Sequence, residues 1–420
     1  MATCQTETYR ESQTEIDRLS SLPDDLIITI LSLLPTRTAA RTSFLSRRFC
    51  NLCKASPAFD LSFRSIPFKK SVSMLKSNSY VDMATSTVLS RQPSDPPILR
   101  FHLEVPEKLP SGLTPSFICS LMTRACSLGI RHLTIDGCWH LEASLHSVFS
   151  ITSLESLSLE IYSEVIFPSA NTLTCLKSLS IHLHLVHNLN MMGQVEHFLL
   201  KLPCLEHLQL TIPAGAEEVR LSSQTIKTLE LTLDWRCHTT YSVGLFMPSL
   251  EFLNLANLGY IERLPRIHGG IPSLRKSVIT LNYLHPEHVA AVAQLLNCIS
   301  QVEELSLHLG QLAFEYPFCV LLEPGEEAPA YPNLKHLDAH MCFHEPNFEG
   351  IVSLLHQSPA LLSLKLVHLS TKRKRSGWRT KLPRNSDGNH QYAYFSNLHL
   401  KENNERFMKL VDKKSTLRRS

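Results

Sequence analysis

The chain has 420 residues, too many for one ordinary compact domain unless that domain is built of repeats. With 14 Gly and 24 Pro it is neither collagen-like nor Gly-rich, and its 43% hydrophobic content supplies a core without an apolar run of the ~18 residues that span a bilayer. The formal net charge of +3 hides an asymmetry: residues 371–420 hold 14 Lys/Arg against 4 Asp/Glu, leaving −7 on the rest, unlike the uniform positive field of a dedicated nucleic-acid binder.

Residues 1–16 are polar and lack periodicity, which predicts a flexible leader and no secretory signal. Twelve scattered Cys then favour reduced thiols in a reducing compartment. Residues 17–60 read as three short helices. Pro23 opens the first, Asp24 and Asp25 suit its N-terminal dipole, and Leu26, Ile27, Ile30, Leu31 and Leu34 recur at helical spacing until Pro35. Thr36 or Thr38 is expected to cap a second helix through Ala39 and Ala40, and a third starts near Ser46 with Arg47, Arg48, Phe49 and Leu52. The first helix is apolar on more than one face, and a unit this small is better served by burying its spare face on a partner than by folding alone. The competing expectation is a helical cap on the remainder of the chain. Cys50-x-x-Cys53 has the spacing of a zinc half-site, yet no second C-x-x-C exists, and a structural role outweighs it.

Signals weaken over residues 61–97, where RQPSDPP at 91–97 reads as a loop or boundary. Residues 98–370 carry an internal repeat. Leu is the outlier, at 70 or one residue in six, and the pattern L-x-x-L-x-L recurs: Leu154-Leu157-Leu159, Leu176-Leu179-Ile181, Leu205-Leu208-Leu210, Ile226-Leu229-Leu231, Leu250-Leu253-Leu255, Val302-Leu305-Leu307 and Leu361-Leu364-Leu366. Ile130-Leu133-Ile135 and Leu334-Leu337-Ala339 are further copies, an opening strand is expected at 98–103, and an irregular copy at 271–281. Central leucines are 21 to 32 residues apart, apart from one gap of 52 that the irregular copy halves. Such spacing belongs to leucine-rich repeats, each a short strand with a helical or irregular return. The predicted fold is α/β: a three-helix unit followed by a curved parallel sheet whose Leu rows only the stack can bury.

LSSLPDDLIITILSLLPTRTAARTSFLSRRF resembles an F-box, and an F-box followed by such repeats is similar to the large plant F-box/leucine-rich-repeat (F-box/LRR) family. The resemblance implies a non-catalytic subunit of a ubiquitin ligase of the Skp–cullin–F-box (SCF) type. The helices would dock a Skp-type adaptor joined to a cullin/RING scaffold, and the repeats would hold a target protein for ubiquitination. Carried over by position, the adaptor-facing set is Leu22, Pro23, Leu26, Ile27, Ile30, Leu31 and Leu34, with Ala40, Ser43, Leu45, Ser46, Arg47 and Phe49. Phe49 stands where members usually carry Trp, and Cys53 where a second Trp is common. Trp378 and Pro383, after LLHQSPALLSLKL at 354–366, resemble the start of a C-terminal domain found in many members, but residues through Ser420 do not match it; 371–420 reads as a basic tail, flexible or a divergent remnant.

Residues between the inward leucines would line the concave face, among them His182, His207, Gln209, Thr228, Glu230, Phe252, Asn254, Glu304, His308, His336 and Asp338. This expected wall is polar, rich in Ser and His, with Lys365 almost its only cation, so no inositol phosphate or other cofactor is expected there and a neutral-to-basic protein segment fits best. His182, His184 and His187, or His336 and His340, have spacings compatible with metal ligation, but polar positions on a sheet need no metal. No phosphate-loop, nucleophile-elbow or zinc-protease motif is present. Lys372-Arg373-Lys374-Arg375 reads as a nuclear-import signal or an RNA-attracting patch and equally as a solvated tail, so the expected location is cytoplasmic or nuclear, with no membrane partner and nucleic acid not the expected main partner. The competing function is a leucine-rich interaction scaffold outside any ligase.

Overall fold

The computed structural model describes residues 18–61, 81–82, 84–92, 95–105, 114–138, 142–162, 166–168, 173–184, 191–212, 218–233, 242–258, 266–268, 271–281, 289–309, 330–341, 351, 354–368 and 394–399. Helices α1 (Asp24–Leu33), α2 (Thr36–Thr42) and α3 (Arg47–Lys54) come first. Pro23 is the N-cap of α1, and Asp24 and Asp25 fill its first turn. Ser46 caps α3 by accepting the Phe49 N–H at 3.2 Å. The expected threonine cap on α2 does not form. Pro35 takes the N-cap position, and the Thr36 hydroxyl accepts the Asp60 N–H at 2.6 Å instead.

The repeats build one 13-stranded sheet among the described residues. In chain order its strands are β1 (Ala58–Leu61), β2 (Arg100–Glu104), β3 (His132–Cys138), β4 (Ser156–Ile161), β5 (Ser178–Leu183) and β6 (His207–Ile212). Next along the sheet are β8 (Thr228–Leu233), β10 (Phe252–Leu258), β12 (Lys276–Leu281), β13 (Glu304–Leu309), β14 (His336–Met341), β15 (Ser363–His368) and β16 (Tyr394–His399). Pairing is parallel from β1 to β15, and β16 closes the row antiparallel. Register sets leucine on leucine: Leu157, Leu179, Leu208, Leu229 and Leu253 stand side by side, each at most 1% exposed. Each such side chain gains roughly 1.5–3 kcal/mol gross from burial, and only its neighbours in the stack provide the cover.

The irregular copy is β12. Ser277, fully buried, stands where the others carry the middle leucine, between Leu274 and Ile279. Returns differ along the chain. Helices α4 (Pro115–Cys126), α5 (Glu142–Val148), α6 (Met191–Leu199) and α7 (Val289–Cys298) serve some repeats. Three others return through short strands, β7 (Glu218–Ser222), β9 (Ser242–Phe246) and β11 (Arg266–His268), which pair into a second sheet. Neither this sheet nor β1 and β16 can be read from the L-x-x-L-x-L pattern. The leader at 1–16 and the basic run at 372–375 lie outside the described residues.

From β3 to β14 of the large sheet, the residue before each strand forms a rim of alternating charge: Arg131, Glu155, Lys177, Glu206, Lys227, Glu251, Arg275, Glu303, Lys335. The backbone N–H of each donates to the carbonyl of the one before at 2.7–2.9 Å, which holds the side chains abreast. Arg131–Glu155 (3.4 Å), Lys177–Glu155 (4.0 Å), Lys227–Glu206 (3.3 Å) and Lys335–Glu303 (2.7 Å) are ion pairs along it. No described helix is long and apolar enough to cross a membrane.

Candidate functional site

Two surfaces emerge, one helical and one on the sheet. In the helical unit Ile27, Leu31, Ala39, Phe49 and Leu52 form a core of their own, with Leu22, Ile28, Leu34 and Cys53 packed against it. Three expected contact residues therefore face inward: Ile27, Leu31 and Phe49 are 1%, 2% and 4% exposed. Spacing explains it, since residues four apart share a helix face and Ile27 and Leu31 take the inner one. A neighbouring stripe, at i, i+4 and i+7, is Leu26, Ile30 and Leu33, at 51%, 41% and 72% exposed. Phe44 (89%) and Leu45 (67%) stand out between α2 and α3.

Of the remaining expected contacts, Pro23, Ser46 and Arg47 are exposed, and Ala40 and Ser43 half-buried. Leu33 and Phe44 are absent from the set carried over by position, although the breadth of apolar character on the first helix signals the former. Arg48 is another addition. Its guanidinium donates to Asp24 Oδ1 at 2.6 Å and to the carbonyls of Ser20 and Leu22, tying the start of α1 to α3. Cys50 and Cys53 are free thiols, and burial raises the Cys53 thiol above its ordinary value.

The sheet presents its polar face as three rows. Ser156, Ser178, His207, Thr228, Phe252, Lys276, Glu304, His336 and Ser363 are in register in one. Ser158, Ser180, Gln209, Glu230, Asn254, Val278, Ser306, Asp338 and Lys365 form the next. Every expected wall residue falls in these rows or, for His182 and His308, in the third. β12 changes the charge reading: its Lys276, hidden from the repeat pattern by Ser277, pairs with Glu304 at 2.9 Å.

Polar groups at the two ends of the wall are satisfied internally. His102 lies between Asp60 (3.0 Å) and Asp136 (2.9 Å), and hydrogen bonds to Asp136 and Asp60 raise it to about 9 against the cost of burial. It is an imidazolium at neutral pH. His184 meets Glu160 at 2.9 Å and stacks on Tyr162, whose hydroxyl donates to the same carboxylate at 2.7 Å. His182 bridges Ser180 and Thr211, and burial lowers it below the usual histidine value. At the far end Asp338 takes His340 at 2.9 Å and Lys365 at 2.7 Å, and His336 contacts Ser363 at 2.7 Å. His308 is lowered by burial and by His340, its ring neighbour at 4.4 Å. Among the described residues no group of three or more His, Cys, Asp or Glu side chains is placed to hold a metal ion; His187 lies outside them.

The open sheet offers hydrogen-bonding side chains along a strip, suited to an extended or folded protein surface more than to a small molecule. A model of the F-box domain matches residues 19–59. A putative F-box/LRR-repeat protein of Arabidopsis thaliana is 31% identical over 333 residues, covering 76% of this chain and 59% of the relative. A putative F-box protein of the same plant is 28% identical over 266 residues, 57% of this chain and 52% of the relative. An F-box/FBD/LRR-repeat protein from it is 25% identical over 383 residues, 84% and 80% of the two chains. The chain thus spans between about half and three-fifths of the first two of these plant proteins. With an F-box match on its three helices and alignments that run on through the leucine rows, this chain belongs to the plant F-box/LRR family.

Proposed function

We propose that this chain is the target-recruiting subunit of an SCF-type ubiquitin ligase: the helices dock a Skp-type adaptor and the concave wall holds the protein to be modified. The observation that carries this reading is the apolar surface left outside a five-residue core, with Leu26, Ile30, Leu33, Phe44 and Leu45 facing solvent. Each is worth roughly 1.5–3 kcal/mol when fully covered. Five together are comparable with the ~4–15 kcal/mol that association costs in lost freedom. The ubiquitin chemistry then belongs to other subunits. Ile27, Leu31 and Phe49 act in this scheme by holding α1 and α3 in place.

The test uses the full chain with Leu33→Asp and Phe44→Asp together, and a purified plant Skp-type adaptor. Both positions are exposed, so the repeats and helices should unfold as in the wild type while adaptor affinity drops by more than 100-fold. Undiminished adaptor binding, or a wild-type chain that purifies with neither adaptor nor cullin, would favour the non-ligase scaffold instead.

A further inference from the structure

The paired charges at both ends of the wall contrast with its centre. On β6, β8 and β10, Glu230 is flanked in register by Gln209 and Asn254, and along its own strand by Thr228 and Thr232. None of these is a cation, and among the described residues no ion pair or hydrogen bond reaches its carboxylate. Glu230 is half-buried. Whatever docks there strips its water, a cost of several kcal/mol per ion unless a counter-charge arrives with the ligand. Asp338, Glu160 and Glu304 already hold their cations or hydrogen-bond donors and gain less from a new one.

Phe252 supplies the second element. It is in register with Thr228, one strand over and two positions back from Asn254, which strand geometry puts about 8 Å from Glu230. A long basic side chain spans that diagonal, its stem or guanidinium over the ring and its charge on the carboxylate.

We infer that the centre of the concave wall selects a target segment carrying a basic residue, arginine best, which pairs with Glu230 and lies along Phe252. The inference rests on the wall being the target-binding face. Acidic or phosphorylated segments are rejected at the same point, because their charge would meet a carboxylate that no described cation compensates. The internally bonded histidines of the end strands shape the strip without setting this preference.

The test pans a displayed library of random 12-residue peptides against the full-length chain and against Glu230→Gln, Phe252→Ala and, as a control on the rim, Glu303→Gln. Peptides from the wild type should be enriched in arginine or lysine at one fixed position. Their affinity should fall about tenfold on Glu230→Gln and several-fold on Phe252→Ala, and change less than twofold on Glu303→Gln. Absence of enrichment, an acidic preference, or equal binding by Glu230→Gln overturns the inference. So does binding that emerges only after residues 371–420 are deleted, which would give the site to the chain's own basic tail. Selected peptides that lose affinity on His308→Ala or Asp338→Ala yet show no basic preference leave the wall as target face and remove only the cation; peptides indifferent to every wall substitution remove both.

Discussion

Replacing Glu155 by Lys puts three cations in succession on the rim, because Arg131 and Lys177 flank it at 3.4 and 4.0 Å. Partly exposed pairs of this kind contribute ~0.2–1 kcal/mol each, and like charges abreast cost a similar amount. Glu155→Lys should therefore destabilise the flanking repeats by ~1–3 kcal/mol, and Glu155→Gln, which only removes attraction, by about half as much. Urea unfolding of the full chain reads the total, and hydrogen exchange in β3, β4 and β5 locates it. Adding Arg131→Glu to Glu155→Lys restores one of the two pairs and should recover part of the loss. At 1 M salt the screening length shrinks to ~3 Å, so the three variants should converge. If Glu155→Lys matched Glu155→Gln at low salt, or Arg131→Glu made matters worse, alternation along the rim would play no part in holding the repeats in register.

His102 gives a pH signature. Its folded value of about 9 exceeds the free imidazole value, so its contribution, ~1–3 kcal/mol, is complete below about pH 6.5 and is lost as pH rises to about 9. The urea midpoint should fall across that window in the wild type, and His102→Gln should remove that part of the fall. Phe49→Ala empties a site 4% exposed in the small helical core and should cost ~3–5 kcal/mol, abolishing adaptor capture while circular dichroism still reports the folded repeats. Gly129 has φ +76°, and an added Cβ would meet Pro97 Cβ at an ordinary 3.7 Å. Gly129→Ala should thus cost only the ~1–2 kcal/mol of the left-handed backbone, with Gly129→Asn milder, measurable as urea midpoints.

The leucine rows are legible because burial demands the same three positions in every repeat, and one missing residue does not erase the pattern. Where a single position fails, as with Ser277, the strand shows only as an irregular copy, and the charge that Lys276 brings to the wall is hidden with it. Strands β7 and β9 carry their own signal, since Val219 and Val243 pair in register 24 residues apart, but five-residue strands with one or two inward side chains do not stand out beside the Leu rows. β1 is shorter still: Phe59 and Leu61 alternate with Asp60, a period too brief to separate from the end of a helical unit. Inner and outer faces of α1 are not separable from apolar character alone, because Leu26, Ile27, Ile30, Leu31 and Leu33 are chemically alike. Partner residues in the core decide which of them turns inward.

The joint between helices and sheet bears on how the proposed function works. Asp60 serves both sides: its N–H donates to Thr36 at the start of α2, and its carboxylate holds His102 on the wall. Arg91 braces the same joint, its guanidinium donating to the carbonyls of Lys54 and Ser56 and lying 5.1 Å from the Phe59 ring centroid, while Arg124 donates to its carbonyl. Only three residues, Ala55, Ser56 and Pro57, lie between the last turn of α3 and the first strand of the sheet. A Gly/Ser linker at this point would let the two surfaces wander by about 5–6 Å times the square root of its length. A three-residue connection bonded on both sides does not. On the proposed reading, a target seated on the wall is held at a set orientation to the adaptor, and which of its lysines come within reach of the transfer machinery depends on where along the strip it binds. Selection at Glu230 would then determine the site of modification as well as the identity of the target.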